Sequence, residues 1–274
     1  MVNNVRKYLY VILGMLTGKI KVLDHNQVPI NKYPDSNWSL VPFPSQKGKI
    51  FNFDNLATVN KHDFLNNDQF RRSTLAADAR WQAGKYVRNI KWRLHIAIWA
   101  FGQALNNYNR LASQSESIFV ECGTGRGYMA AGISDYYMLG KQSPRFLLFD
   151  RFKNDLGDGR VSPADFAYTD NYDEVKNYFK KYQSVEIING DLPSTLSVLG
   201  SAKVSFLHLD LNHAESEQKV LNYLQDKFNN GCLILLDDFG GPGGEGQAKV
   251  HIDFFEKNNR DILQLPTGQG LVIW

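Results

Sequence analysis

The chain has 274 residues, of which 43% are hydrophobic and 13% aromatic, and this composition excludes an intrinsically disordered protein. A net charge of +3 without a dense block of lysine and arginine does not indicate nucleic-acid binding. The apolar run 9–16 is far shorter than the roughly 20 residues that span a bilayer, so we expect a cytoplasmic protein without a membrane segment.

Residues 1–85 are predicted to form an extension that packs on a main domain of residues 86–274. Four prolines, at positions 29, 34, 42 and 44, cluster in the extension among asparagine, lysine and aromatic residues, with little periodicity. A dense apolar stretch at 90–105 then predicts a helix that precedes the first strand of the main domain.

Residues 118–127 read Ile-Phe-Val-Glu-Cys-Gly-Thr-Gly-Arg-Gly, which predicts a buried strand that leads into three alternate glycines. Glycine lets the backbone turn tightly and lets a ligand approach it closely. A dinucleotide site has the spacing G-x-G-x-x-G and a pyrophosphate at the helix N-terminus, which Glu121 would repel. The sign of the charge favours a cofactor with a sulfonium and an amino group, S-adenosylmethionine; the alternative is a turn without a ligand.

From Ile118 onward, short β-rich runs alternate with helical stretches, which predicts an α/β fold with a mostly parallel central sheet. The predicted strands are 118–122, 146–149, 185–189, 204–209 and 232–236. Segments 262–265 and 271–274 flank Pro-Thr-Gly-Gln-Gly and predict a closing antiparallel hairpin. The polar segment between Asp150 and Asn171 is either a lid or a surface excursion.

Acidic residues follow nearly every predicted strand, at the edge where open parallel sheets bind ligands. They are Glu121, Asp150, Asp191, Asp210, Asp237 and Asp238. Asp150 is predicted to accept hydrogen bonds from both ribose hydroxyls, with a helix cap as the alternative. Asp191 is predicted to lie near the adenine ring, or instead to cap the helix that follows Pro193.

Asp210, Asp237 and Asp238 are predicted to place three carboxylates in one crevice. They would repel one another unless a cation lies between them, and hard oxygen ligands suit Mg²⁺ or Ca²⁺, of which we expect Mg²⁺. Asp210 or His213 is predicted to act as the base that takes the acceptor's proton.

Two further predictions concern residues near this crevice. His208 falls inside a strand, where a core histidine is favoured over a catalytic one. Glu215 and Glu217 are predicted to be first-turn helix acids that face solvent.

From about Tyr86 to Trp274 the chain resembles the class I S-adenosylmethionine-dependent methyltransferases, and within them the macrocin O-methyltransferase (TylF-like) group. The resemblance rests on an acid-x-Gly-x-x-Arg-Gly pattern, an Asp-x-Phe pattern, an Asp followed 27 residues later by an Asp-Asp pair, and the tail 265–270. These are Glu121, Gly123, Arg126 and Gly127; Asp150, Arg151 and Phe152; and Asp210, Asp237 and Asp238.

The resemblance implies a Rossmann-like methyltransferase fold and methyl transfer to a hydroxyl of a small molecule, usually a sugar on a natural product, with Mg²⁺ held by the three aspartates. From the strand-end placement and the resemblance together, ten residues are predicted to bind the cofactor: Glu121, Gly123, Thr124, Gly125, Arg126, Gly127, Asp150, Arg151, Asp191 and Asp210.

One departure from the group changes the crevice. Where the group has Asp-Gly-Asp-x-Tyr, residues 210–214 read Asp-Leu-Asn-His-Ala, so a second acid and a tyrosine are replaced. The identities of the acceptor and of the base are therefore left open. The formation of a homo-oligomer is also left open. Two other functions stay as alternatives: a cofactor-binding protein without turnover, and a nicotinamide-dependent oxidoreductase.

Overall fold

The computed structural model describes residues 51–53, 56–58, 61–81, 90–110, 117–153, 172–241 and 243–274. The proline cluster, the apolar run 9–16 and most of the proposed lid, residues 154–171, lie outside these ranges. Contacts divide the chain into two units, Met1–His62 and Asp63–Trp274. In the first unit, strands β1 (Phe51–Phe53) and β2 (Leu56–Thr58) form an antiparallel pair.

A seven-stranded mixed sheet forms the centre of the second unit. Its strands are β3 (Ser117–Cys122), β4 (Arg145–Asp150), β5 (Val185–Asn189), β6 (Lys203–Leu209), β7 (Phe228–Leu236), β8 (Leu263–Gln264) and β9 (Gly270–Ile273). Their order across the sheet is β5-β4-β3-β6-β7-β9-β8. The first five strands are parallel, and β9 pairs antiparallel with both β7 and β8. The predicted parallel sheet with a closing antiparallel hairpin is confirmed.

Helices cover both faces of this sheet. They are α1 (Asp68–Trp81), α2 (Lys91–Arg110), α3 (Tyr128–Tyr136), α4 (Tyr172–Phe179), α5 (Ala214–Leu224) and α6 (Glu245–Lys257). Helices α1 to α4 contribute to one hydrophobic core, and α5 and α6 contribute to the other. Helix α1, which lies in the predicted extension, is thus part of the same compact unit as the sheet. Among the described residues, no helix is long and apolar enough to cross a membrane.

The strands are buried on both faces because their apolar residues alternate between the two cores. In β3, Phe119 packs with α2 in the first core, whereas Ile118 and Val120 pack in the second. The same alternation holds in β4, where Leu148 and Leu147 face opposite cores. This two-sided burial explains why the five parallel strands could be read from the sequence as apolar runs.

One helical expectation was wrong at its end. The sequence spacing of Val220, Leu221, Leu224 and Phe228 predicts one helical stripe, but α5 ends at Leu224 and Phe228 begins β7. Phe228 packs there on the ring of Trp274, with 4.9 Å between the ring centroids. A tertiary contact with the last residue of the chain therefore overrides the local helical spacing.

Candidate active site

The glycine loop, residues 123–127, connects the end of β3 to the start of α3. Its three glycines have φ angles of 93°, 52° and 83°, the left-handed region that favours glycine. A Cβ atom at Gly123 would overlap the backbone carbonyl of Asp210, and one at Gly127 would lie 2.6 Å from the ring of Phe179. The missing side chains thus allow the loop to pack against the end of β6 and against α4.

Asp150, at the end of β4, holds the glycine loop from the neighbouring strand. Its carboxylate accepts hydrogen bonds from the amides of Gly125, at 2.7 Å, and Phe152, at 2.6 Å. Burial raises the pKa of Asp150, while these two hydrogen bonds lower it. A carboxylate has about four acceptor positions, so these two hydrogen bonds do not use all of them.

Arg151 and Asp191 lie at the ends of the adjacent strands β4 and β5. The Arg151 guanidinium is 3.9 Å from the carboxylate of Asp191, whose side chain is 71% exposed. The short helix 194–199 receives no side-chain cap; instead, the amide of Thr195 donates to the carbonyl of Asp191. The Asp191 carboxylate is therefore directed to solvent and to Arg151, not to the capping role considered above.

The inside of the glycine loop contains an unsatisfied polar atom. Thr124 is 5% exposed, and its hydroxyl has no hydrogen-bond partner among the described residues. A buried hydroxyl without a partner is costly in a folded protein unless a ligand or water bonds it. Together with the glycine backbone and Asp150, this arrangement fits the nucleoside part of S-adenosylmethionine.

Arg126 is part of an ion-pair network that fixes the outer side of the loop. It pairs with Glu174 of α4 at 3.1 Å, and its carbonyl accepts a 2.8 Å hydrogen bond from Arg80 of α1. Arg80 also pairs with Glu174 at 2.8 Å and lies 4.3 Å above the ring of Tyr178. A role of Arg126 in cofactor binding stays a prediction. The contact of Arg80 with the loop could not be predicted from the sequence, because Arg80 lies 46 residues from Arg126 in a segment without a readable motif.

Asp237, at the end of β7, is enclosed by three donors. One carboxylate oxygen lies 2.6 Å from Nη1 of Arg93, and the other accepts a 2.8 Å hydrogen bond from Gln269. His208 Nε2 lies 3.5 Å from that second oxygen. Burial alone would raise the pKa of Asp237, but Arg93 and His208 hold it below its usual range.

The other two predicted metal ligands lie beside Asp237. Asp238 is 3.6 Å from the Arg93 guanidinium, and Asp210 accepts a 3.0 Å hydrogen bond from the side-chain amide of Asn212. Burial raises the pKa of both carboxyls, and repulsion from Asp237 adds to this effect. The three aspartates are thus close enough to repel one another, and Arg93 supplies a cation beside Asp237 and Asp238.

The residues present do not fit a divalent ion as they are arranged. Both carboxylate oxygens of Asp237 already have hydrogen-bond partners, and the Arg93 guanidinium lies within 3.6 Å of both Asp237 and Asp238. In the part of the chain that the structure describes, no group of three or more histidine, cysteine or acidic side chains has a metal-binding arrangement. We therefore derive no chemical step through magnesium.

His208 of β6 lies between two carboxylates, those of Glu121 in β3 and of Asp237 at the end of β7. It is 1% exposed, and its ring nitrogens lie 3.4 Å from Glu121 and 3.5 Å from Asp237. Burial opposes protonation, yet the two carboxylates raise the pKa of His208 to about 10. Glu121 is equally buried, and its carboxylate faces the His208 ring. Contact between Glu121 and the cofactor stays a prediction.

The raised pKa of His208 predicts a pH-dependent stability. The pKa is 6.5 in the reference state and about 10 in the fold, so the stabilisation is fully present below pH 6.5 and is lost as pH rises through 10. Denaturant unfolding across this window should show a loss of roughly 5 kcal/mol that His208→Gln lacks. Parallel curves for the two proteins would contradict a protonated His208.

His213 caps helix α5 at its N-terminus. Its Nδ1 accepts a hydrogen bond from the amide of Ser216 at 3.3 Å and lies 3.0 Å from the Ser216 hydroxyl. The side chain is exposed and uses this nitrogen for the cap. Its catalytic role stays a prediction, and in the structure Nδ1 is already bonded to Ser216.

Glu217 does not face solvent, and that expectation was wrong. It is 1% exposed, pairs with the equally buried His251 of α6 at 2.7 Å, and accepts a 3.1 Å hydrogen bond from the amide of Leu211. Glu217 thus fixes the turn that carries Asp210 and Asn212. The partner histidine lies 34 residues away, so first-turn position alone could not reveal it.

Known proteins resemble this chain in sequence and in fold. Residues 120–239 match the family model described as "Methyltransferase domain". The structure of the O-methyltransferase NovP is similar, with a TM-score of 0.53 and 17% identity over 66% of this chain and 78% of NovP. CalS11, a calicheamicin methyltransferase, gives a TM-score of 0.53 and 14% identity over 84% of this chain and 99% of CalS11. A search of curated proteins found no match.

The apo structure of CalS11, described as a TDP-rhamnose 3'-O-methyltransferase, is also similar to this chain. It gives a TM-score of 0.50 and 14% identity over 79% of this chain and 96% of that one. At such identities the superpositions show the fold alone. The chain thus has a Rossmann-like fold with a mostly parallel seven-stranded sheet, shared with these methyltransferases, which confirms the predicted fold. The nicotinamide alternative is not supported.

Proposed function

We propose that the protein transfers a methyl group from S-adenosylmethionine to a hydroxyl of a small molecule, with a sugar or a glycosylated metabolite as the expected acceptor. The observation that carries the proposal is the pairing of Asp150 with the glycine loop, in which the buried Thr124 hydroxyl has no partner among the described residues. NovP and CalS11, which share the fold, are described as an O-methyltransferase and a sugar O-methyltransferase.

The cofactor would lie across the ends of β3, β4 and β5. The glycine loop would receive the part near the sulfur, Asp150 would accept from the ribose, and Asp191 with Arg151 would lie near the base. This order follows the strands, because adjacent parallel strands present their ends at one edge. When bound, the cofactor supplies an electrophilic methyl group that an acceptor oxygen takes.

The chain's own contribution to the chemistry is proton removal and positioning. Asp210 lies next to the glycine loop, since its backbone carbonyl contacts Gly123, and its carboxylate is held by Asn212. Burial and the nearby Asp237 raise the pKa of Asp210, which makes the carboxylate a stronger base than an exposed one. We assign it as the group that accepts the hydroxyl proton.

Asp210→Asn should therefore lower kcat by about 100-fold or more, because general-base catalysis contributes that much. Single-turnover transfer from labelled cofactor measures the effect. Wild-type turnover should also rise with pH on its acidic side, because the base must lose its proton and its pKa is raised.

The matched variant is His213→Ala, which removes the other candidate base. It should cost about 1 kcal/mol of stability through loss of the helix cap and leave kcat nearly unchanged. Loss of turnover in His213→Ala with full turnover in Asp210→Asn would reverse the assignment.

The acceptor class is tested by incubating the protein and labelled S-adenosylmethionine with TDP-rhamnose and with a catechol. Transfer to the sugar nucleotide supports a sugar acceptor. Transfer to the catechol alone would indicate that the acceptor carries a phenolic hydroxyl instead. Cofactor binding without transfer to any acceptor would favour the binding protein without turnover. Membership of the TylF-like group, a homo-oligomer and a cytoplasmic location stay predictions.

A further inference from the structure

Arg93 of helix α2 reaches the ends of the central strands and is largely buried there. Its side chain is 11% exposed. Nη1 contacts the Asp237 carboxylate at 2.6 Å and the Asp237 carbonyl at 3.1 Å, and Nη2 donates to the carbonyl of Thr267 at 3.1 Å. The same guanidinium lies 3.6 Å from Asp238. Arg93 therefore ties together α2, the end of β7 and the turn before β9.

The turn before β9 completes this arrangement. Gln269 is fully buried, donates to Asp237 at 2.8 Å and accepts a 3.0 Å hydrogen bond from the Thr267 hydroxyl. Thr267 and Gln269 thus each bond one member of the Arg93–Asp237 pair. The pair is held from both sides by the chain's own groups.

Charge explains why a cation is needed at this position. Asp210, Asp237 and Asp238 lie within one crevice, and like charges this close destabilise one another. Arg93 lies against two of them, and a guanidinium is always charged and suits buried carboxylate partners. A divalent ion that bound these carboxylates would have to displace Arg93 and leave a buried charge unpaired, which is strongly unfavourable.

We propose that Arg93 is the built-in cation of the crevice, a positioning residue that fixes Asp237 and Asp238 and makes a divalent ion unnecessary. The inference rests on the proposed function only for what the crevice does in methyl transfer. Its central consequence, that the carboxylates do not bind a divalent ion while Arg93 is present, can be measured without turnover.

The test is a titration of Mn²⁺, read by the electron paramagnetic resonance signal of the free ion. The intact protein should bind Mn²⁺ at this site no more tightly than about 1 mM. Arg93→Gln should bind it at least about tenfold more tightly, because the carboxylates lose their partner. Adding Asp237→Asn to Arg93→Gln should abolish the new site. Turnover of the intact protein should be unaffected by a chelator.

Two controls keep the result specific. Arg145→Gln removes the same charge from an exposed pair with Glu186 and should gain no Mn²⁺ site. Arg93→Lys retains the charge, so it should also gain no site; if Arg93→Gln does not fold, Mn²⁺ binding by the intact protein still tests the inference. Thermal unfolding of each variant reports folding.

Two outcomes would overturn the inference. One is tight Mn²⁺ binding by the intact protein that Asp237→Asn removes. The other is a folded Arg93→Gln that gains no site. Neither outcome depends on S-adenosylmethionine, so a failure of the proposed function, seen as absent cofactor binding, is distinguishable from a failure of this inference.

Discussion

Asp150→Ala should weaken S-adenosylmethionine binding by about 100-fold, which corresponds to about 2.7 kcal/mol. The carboxylate is predicted to accept hydrogen bonds from the ribose, and bonds to a charged group contribute about 1.5–3 kcal/mol each. The substitution also removes the acceptors for the amides of Gly125 and Phe152, so the glycine loop loses its support from β4. Calorimetric titration of each protein measures the change.

The matched variant for this experiment is Asp253→Asn, which removes a carboxylate from an exposed pair with Lys249 on α6. Surface pairs of this kind contribute little, so binding should stay within a factor of about two of the wild type. Equal affinities for Asp150→Ala and the wild type would contradict the placement of the ribose at the end of β4.

Gly123→Ala should abolish cofactor binding and destabilise the fold by about 3 kcal/mol or more. A Cβ at this position would overlap the carbonyl oxygen of Asp210, which is backbone and cannot rotate away, and the φ of 93° is unfavourable for alanine. The strand ends of β3 and β6 would have to separate. That displacement would move both the glycine loop and the proposed base.

Gly241→Ala serves as the matched glycine variant, since an added Cβ there has open space and Gly241 has no positive φ. It should leave stability and cofactor affinity nearly unchanged. Chemical denaturation, followed by cofactor titration of the folded proteins, compares the two variants. A Gly123→Ala protein as stable as Gly241→Ala would show that β3 and β6 are not packed as closely as described.

The fold could be predicted because it depends on local patterns. The five parallel strands are apolar on both faces, and the closing hairpin has a glycine-rich turn, so each produces a readable signal. The positions of the strand-end acids follow from the order of the strands. Asp150 and the glycine loop could therefore be placed at one edge before their contacts were known.

The partners of those acids could not be predicted, because they come from distant segments. Arg93 lies 144 residues before Asp237, and Gln269 lies 32 residues after it. The sequence reveals three clustered carboxylates and the need for a cation, but not that an arginine on α2 supplies it. Glu217 illustrates the same limit, because its burial depends on a histidine in another helix.

The most direct test of the account is calorimetric titration of S-adenosylmethionine and S-adenosylhomocysteine into the intact, folded protein. We expect one nucleoside per chain, with a dissociation constant between about 1 µM and 1 mM and clear heat for both compounds. Absence of binding for both nucleosides by the folded protein would contradict the central claim, since the glycine loop and Asp150 would then form a turn without a cofactor.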